Sequence, residues 1–528
     1  MENKKTKIIS IGAVVALALT VITATYAYFN AQVGDPAVAD IKINANTVDT
    51  FTFSNGSAIS FSINQDNFAS GAGNQTGSTY ASAMLTANNK TNTATEHYYM
   101  YLNIENNTFT YSINTNTPEI IMTVKNSVGN EVTDISTLNH VIVTGANGTQ
   151  VSGYDITNKS GLITLFDNRE ITTTSSKEEK WNITITFVNY DENQNANAGK
   201  SMSAKVMIQK EVIPQVVSDV CSNGTNLATC ITTLANKSIP SATNIYHHDS
   251  SLSNGAGDNS YRYAGASDVV NNFVCFGSNE STCPTDNLYR IIGVFGNQVK
   301  LIKYDYGTTD ELGTDGDYSK TYKEWGMDST YKGTYGDGER IGVYYWNNAT
   351  QTNTWSESLL NKTNLNTNFI NNIGTEWANK IATTTWKVGG NTYSNIYSKT
   401  PSVVYQNEIV NPVTANTTDN ATEYTAKIGL MYVSDYGFAA EPSAWTLTMG
   451  NYDNTTATST NWMYMGLYEW TFSRNADYSN TAFAVRSGGN VYNDYVYDGN
   501  AVRPSFSLLS SVTYSKGDGT QNSPIRIN

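Results

Sequence analysis

Between Trp470 and Pro504 the chain reads WTFSRNADYSNTAFAVRSGGNVYNDYVYDGNAVRP. Tyr, Asn, Asp and Arg recur there among small residues, with no His and no Cys. This is contact chemistry. A phenol ring offers a wide, stiff surface at low entropy cost, and amides adapt their hydrogen bonds to a partner. Catalytic sets are missing elsewhere too. The chain has no Gly-x-Ser-x-Gly elbow, no P-loop, no dinucleotide Gly-x-Gly-x-x-Gly before a helix and no His-Glu-x-x-His. Of the four His, His97 and His140 stand alone, and His247-His248-Asp249 is the one cluster to weigh. It would supply a base with an orienting carboxylate, or simply a polar entry to the C-terminal half. Asp and Glu are numerous, but nothing singles out a glycosidase pair. The residues point to a protein that holds something rather than converts it.

The four Cys are Cys221, Cys230, Cys275 and Cys283, which allow three pairings. Cys221 with Cys230 and Cys275 with Cys283 is the simplest. Unpaired thiols or a zinc site are the rivals, although no Cys-x-x-Cys occurs and adjacent His247 and His248 are poorly spaced as ligands. Net charge is -14 with only 15% charged residues, so Asn, Thr, Ser and Tyr must build the polar surface. No Lys/Arg cluster is present, which argues against a nucleic-acid partner.

Stepping outward, 528 residues exceed what one core needs and suggest roughly two to four domains. Lys4, Lys5 and Lys7 precede an apolar run from Ile8 to Ala24, and Thr25-Tyr26-Ala27 offers a peptidase site. Residues 1–27 therefore read as a signal peptide cleaved after Ala27, or as an uncleaved membrane anchor. Either way the body is exported.

From 28 to 212 the period is two. Ile59, Phe61, Ile63; Tyr98, Met100, Leu102, Ile104; Trp181, Ile183, Ile185, Phe187; and Met202, Ala204, Val206, Ile208 all alternate with polar residues. This is the pattern of strands with one buried face, with turns at Asn88-Asn89-Lys90 and Val128-Gly129-Asn130. An all-β, jelly-roll-like sandwich is expected. Residues 213–243, rich in Ser, Asn and Thr, read as a linker holding at most one short helix around Leu227, Ile231 and Leu234.

From 244 to 528 Trp and Tyr become common, and an α+β domain is expected. A hairpin runs from Asn287 to Lys303 with Gly296-Asn297 as its turn. Trp355, Leu359, Leu365, Phe369 and Ile373 suit one helix face, with Ser356 as N-cap. Lys380–Val388 reads as a strand. So does Ile428–Val433, ended by Ser434-Asp435-Tyr436-Gly437. Gly488-Gly489 marks a hairpin turn.

Two resemblances bear on these halves. The run ATYAYFNAQ and the lines YYMYLNIENNTFTY and WNITITFVNYDENQNANAGKSMSAKVMIQKE resemble the camelysin-type β-sandwich of biofilm fibre proteins, over most of 28–212. That implies an extracellular scaffold or fibre subunit able to self-assemble. LYRIIGVF, KIGLMYVSDYGFAA, WMYMGLYEWTFSRN and AVRPSFSLLSSVTYSKGDGTQNSPIRI resemble a bacterial C-type-lectin-like domain family, over most of 284–528. Its closing W-x-x-S-R…V-R-P pattern is the most specific part. In related folds the variable ligand-binding positions precede the closing strand. Matched by position, they are Tyr478, Asn480, Arg486, Asn490, Tyr492, Asn493, Asp494, Tyr495 and Tyr497. Calcium-binding lectins use Glu-Pro-Asn and Trp-Asn-Asp; Glu441-Pro442-Ser443 and Trp346-Asn347-Asn348 half match, so Ca²⁺ stays open as a ligand and no other cofactor is implied. The expectation is a bacterial surface adhesion protein, a β-sandwich stalk carrying a lectin-like head for a protein or glycan. The alternative is a structural fibre subunit.

Overall fold

The structure is a computed structural model that describes residues 49–68, 72–88, 93–135, 137–146, 148–322, 341–412 and 422–528. The leader at 1–27 lies outside them, as do Asn89 and Lys90 of one expected turn. Among the described residues the fold is mostly β, with 38% in strands against 19% in helices. No described helix is long and apolar enough to cross a membrane. The chain divides into two compact units, Met1–Ile213 and Pro214–Asn528.

Among the described residues the first unit holds ten strands: β1 Thr50–Asn55, β2 Ile59–Ser62, β3 Gln75–Thr86, β4 Ala94–Asn107, β5 Ile120–Asn126, β6 His140–Thr144, β7 Gln150–Asp155, β8 Gly161–Thr173, β9 Ser176–Phe187 and β10 Ser201–Gln209. They form two antiparallel sheets, ordered β1-β3-β9-β5-β7-β6 and β2-β10-β4-β8. The period-two pattern explains the core. In β9, Trp181, Ile183, Ile185 and Phe187 are buried, while Asn182 lies exposed on the opposite face. Tyr98, Met100, Leu102 and Ile104 of β4 join them in one apolar cluster fed by both sheets. Each such side chain contributes about 1.5–3 kcal/mol of burial. Within this core the Tyr98 hydroxyl donates to Glu179 Oε2 at 2.7 Å and accepts from Trp181 Nε1 at 2.9 Å.

The second unit opens with a correction. Residues 213–243 are not a linker. The helix Leu227–Lys237 buries Leu227, Cys230, Ile231 and Leu234 in the main core of this unit. Asn226 caps it, accepting from Thr229 N at 3.0 Å and donating to Ser510 O at 2.5 Å. Of the Ser, Asn and Thr residues that suggested a linker, Asn226 is the cap and Thr229 and Asn236 lie exposed on the helix. Disulfides join Cys221 to Cys230 and Cys275 to Cys283.

A six-stranded antiparallel sheet follows, made of β11 Ile245–His248, β12 Ser260–Tyr263, β13 Phe273–Cys275, β14 Leu288–Phe295, β15 Gln298–Lys303 and, from near the C-terminus, β24 Ser505–Ser507. The β14–β15 hairpin turns at Gly296, whose φ of 61° suits glycine. Between β15 and β24 lie three smaller sheets. One orders β16 Tyr318–Thr321, β17 Gly342–Tyr345 and β23 Gly499–Asn500; one pairs β18 Thr384–Lys387 with β19 Glu423–Ala426; the third orders β20 Glu469–Arg474, β21 Thr481–Val485 and β22 Val491–Tyr495.

Three local expectations are corrected. The strand expected over Lys380–Val388 shrinks to β18. Ile428–Val433 is buried throughout but is no strand: only Gly429 bridges to Ser505, and Val433–Phe438 is a helix containing the supposed terminating turn. An apolar run of this length does not distinguish a buried strand from buried coil leading into a helix. Finally, Ser356 is exposed and caps nothing. The helical segment starts later, as a π-helix over Leu360–Phe369, where the buried Asp317 carboxylate accepts from Leu359 N and Leu360 N at 2.8 and 2.9 Å.

Candidate functional site

The nine residues matched to the closing region sit on and around β21 and β22. The two strands pair in antiparallel register, Val485 opposite Val491 and Thr481 opposite Tyr495. Arg486 N donates to Asn490 O at 2.8 Å to close the turn, and Gly489 within it has φ 100°, which only glycine adopts freely. The frame beneath is rigid: β20 and β21 are buried along their whole length.

Arg503 belongs to this frame. It is 1% exposed and forms a two-pronged pair with Glu469, Nε to Oε1 at 2.8 Å and Nη2 to Oε2 at 2.9 Å, while Nη2 also donates to Met463 O at 2.7 Å. Burial raises the Glu469 carboxyl above its usual range, and the Arg503 charge opposes that rise. Trp470 is likewise buried and donates from Nε1 to Tyr344 O at 2.8 Å.

The candidates divide into groups. Arg486 Cζ stands 3.9 Å from the centre of the Tyr492 ring, a close cation–π contact. Two residues absent from the sequence reading complete this cluster. Tyr393 and Tyr397 lie one turn apart on the helix Tyr393–Tyr397, their rings stacked at 5.1 Å, and Tyr492 meets both edge-on at 5.2 and 5.7 Å. Thr392 caps that helix and Asp477 Oδ2 accepts from Tyr393 N at 2.7 Å. The i, i+4 Tyr pair behind a Thr cap was the available signal. Burial and the bond to Tyr492 push the Tyr393 hydroxyl up to about 12, so this phenol stays protonated near neutrality. Arg486 Nε is buried without a hydrogen-bond partner, leaving a cation with donor capacity beside the rings.

Asp494 is half-buried and accepts from Asn500 Nδ2 at 3.2 Å. Burial raises its carboxyl, against the pull of Asn500 and Arg486. Tyr495 and Tyr497 stack on each other at 5.1 Å, and Tyr495 is 48% exposed. Tyr478 is the most exposed of the set at 61%. Its carbonyl is held by Asn353 Nδ2 at 3.0 Å, while Asn480 O accepts from Val496 N at 3.0 Å. Asn493 lies opposite Phe483 and Asn490 acts through its carbonyl in the turn. A cleft lined by Asn353, Trp355, Tyr424 and Arg474 among others encloses only about 10 Å³, far below the ~300 Å³ typical of small-molecule pockets.

The other chemical candidates fall apart on geometry. His248 is fully buried, its Nδ1 accepts from Ala256 N at 3.0 Å, and burial holds it down to about 2, so it stays neutral. The carboxylate of Asp249 approaches His247 instead, at 3.4 Å, and His247 stacks on Tyr261. Among the described residues no group of three or more His, Cys, Asp and Glu side chains is placed to hold a metal. Glu441 accepts from the Ser443 hydroxyl at 2.5 Å, and Trp346 and Asn347 are buried.

Comparison with known proteins returns no match to a family model, a curated protein or a solved structure.

Proposed function

We propose that this chain is an exported bacterial surface protein in which a β-sandwich stalk, residues 28–212, displays a C-type-lectin-like head that binds a protein or glycan. The observation carrying this reading is the cluster of Arg486 and Tyr492 with Tyr393 and Tyr397; the exposed Tyr478 and the stacked Tyr495 and Tyr497 lie in the same closing stretch. Rigid aromatics on a buried sheet lose little entropy on binding, and a cation with free donors adds direction. The disulfides suit an oxidising compartment outside the cytoplasm. The test is binding of the full chain to arrays of glycans and surface proteins. R486A/Y492A is expected to abolish the signal with the melting temperature kept; full-strength binding by that variant would remove the site.

A second reading is a fibre subunit. β6 ends one sheet of the first unit, and its Ile142 is 66% exposed. An apolar terminal strand is a template for strand addition. Filaments of the mature chain in electron micrographs, lost on Ile142→Lys, would favour it. Single particles under all conditions would count against it.

A further inference from the structure

Beneath the second unit's large sheet lies a group of ionisable side chains that the binding reading does not use. Lys300 of β15, Asp435 of the helix Val433–Phe438 and Glu408 are 6%, 3% and 2% exposed. Lys300 Nζ stands 2.5 Å from Asp435 Oδ2. The rings of Tyr432, Trp386 and Phe295 surround Nζ with centres at 4.6, 5.3 and 5.7 Å. Three successive backbone amides hold the two carboxyl groups side by side: Tyr432 N donates to Asp435 Oδ2 at 3.0 Å, Val433 N to Glu408 Oε1 at 3.0 Å and Ser434 N to Glu408 Oε2 at 3.1 Å. On the far side, Arg262 Nη1 lies 3.5 Å from Asp435 Oδ1.

An ion pair in such a place is costly, because both charges have left water. Burial holds the Lys300 ammonium below its ordinary range, against the attraction of Asp435, and pushes the Glu408 carboxyl up to about 7. Burial thus works against charge on Lys300 and on Glu408 alike.

We propose that Lys300 and Asp435 join in a self-formed amide cross-link, with Glu408 carrying the proton. Lys300 gives one proton to Asp435 Oδ2, which it contacts, and its free amine attacks Asp435 Cγ, one bond beyond that oxygen. The Nζ–Cγ bond forms while charge gathers on Oδ1, which faces the Arg262 guanidinium. Glu408 takes a second proton from the nitrogen and returns it to Oδ2. The Cγ–Oδ2 bond breaks and water leaves. Ammonium and carboxylate become an amide and one water, so atoms and charge balance and no oxidant or cofactor is consumed. Fixed contact replaces the missing activation, since well-oriented intramolecular groups reach effective molarities of about 10⁵–10⁸ M. Replacing two buried charges by a neutral amide supplies driving force. The product ties β15 to the helix Val433–Phe438 across a separation of 135 residues, a covalent clamp within the head.

The test is proteolysis of the folded full chain followed by mass spectrometry. A single cross-linked species should appear, joining the peptide with Lys300 to the peptide with Asp435, lighter than their sum by one water. K300M should lose it completely, and E408Q should lose it or form it at least tenfold more slowly while keeping the wild-type near-UV spectrum. Recovery of the two wild-type peptides separately, each at its unmodified mass, overturns the proposal. A cross-link as complete and as fast in E408Q overturns the role of Glu408. Should E408Q fail to fold, the wild-type digest still decides for or against the bond.

Discussion

Glu469 and Arg503 are a buried pair whose members depend on each other. Replacing Glu469 by Leu leaves a guanidinium buried without its anion, and a loss of about 3–5 kcal/mol is expected in denaturant unfolding. E469L/R503M should recover most of that loss, and additive losses in the double-mutant cycle would deny the coupling. Glu408 makes a pH prediction of opposite character. Its carboxyl sits at about 7 in the folded chain against 4.5 ordinarily, chiefly through burial, with Asp435 adding to the rise and the Ser434 bonds opposing it. The folded state then binds a proton that the unfolded chain releases. Its stabilising contribution, roughly 3 kcal/mol, is complete below pH ~4.5 and is lost as pH rises through 7. Unfolding midpoints of the wild type should fall across that window relative to E408Q; parallel curves would contradict it. At this scale the sequence is an uneven guide. Val491, Asn493, Tyr495 and Tyr497 share one strand parity, yet Val491 is fully buried and Tyr495 half exposed. Their burial follows the surrounding loops as much as the pleat. Tyr393 and Tyr397 come from a helix about a hundred residues upstream, and nothing local to the closing stretch announces them.

Elements were legible where one face is wet. In the first unit β10 buries Met202, Ala204 and Val206 alternately and β9 buries Trp181, Ile183 and Ile185 alternately, so the period of two is written directly in them. In the second unit β20 and β21 are buried on both faces, and their text carries no alternation. The π-helix Leu360–Phe369 buries Leu360, Asn361, Asn364, Leu365 and Phe369, a spacing wider than the α-helical face anticipated from Trp355 to Ile373. The short helix around Leu227, Ile231 and Leu234 was legible, but its place in the core was not, because its outer face is Thr and Asn. It yields a prediction: a head fragment starting at 214 folds, whereas one starting at 244 uncovers the core seat of Leu227, Ile231 and Leu234. The shorter fragment should lose cooperative thermal unfolding. Equal melting of the two fragments would show the helix to be dispensable.

For the whole molecule, the boundary at Ile213 separates two units with unlike jobs in this account. The first has long regular strands and an apolar core shared between two sheets. The second presents Tyr and Arg on a frame locked by Trp470 and the Glu469–Arg503 pair. In the proposed reading the closing stretch divides into frame and contact residues, the contacts being Arg486 and Tyr492 with their upstream Tyr partners. The most direct measurement is binding of the full chain, and of R486A/Y492A, to the first ligand recovered from glycan and surface-protein arrays. The account predicts saturable binding that the double variant loses by at least a hundredfold with its melting temperature unchanged. Wild-type affinity in the folded variant would contradict it.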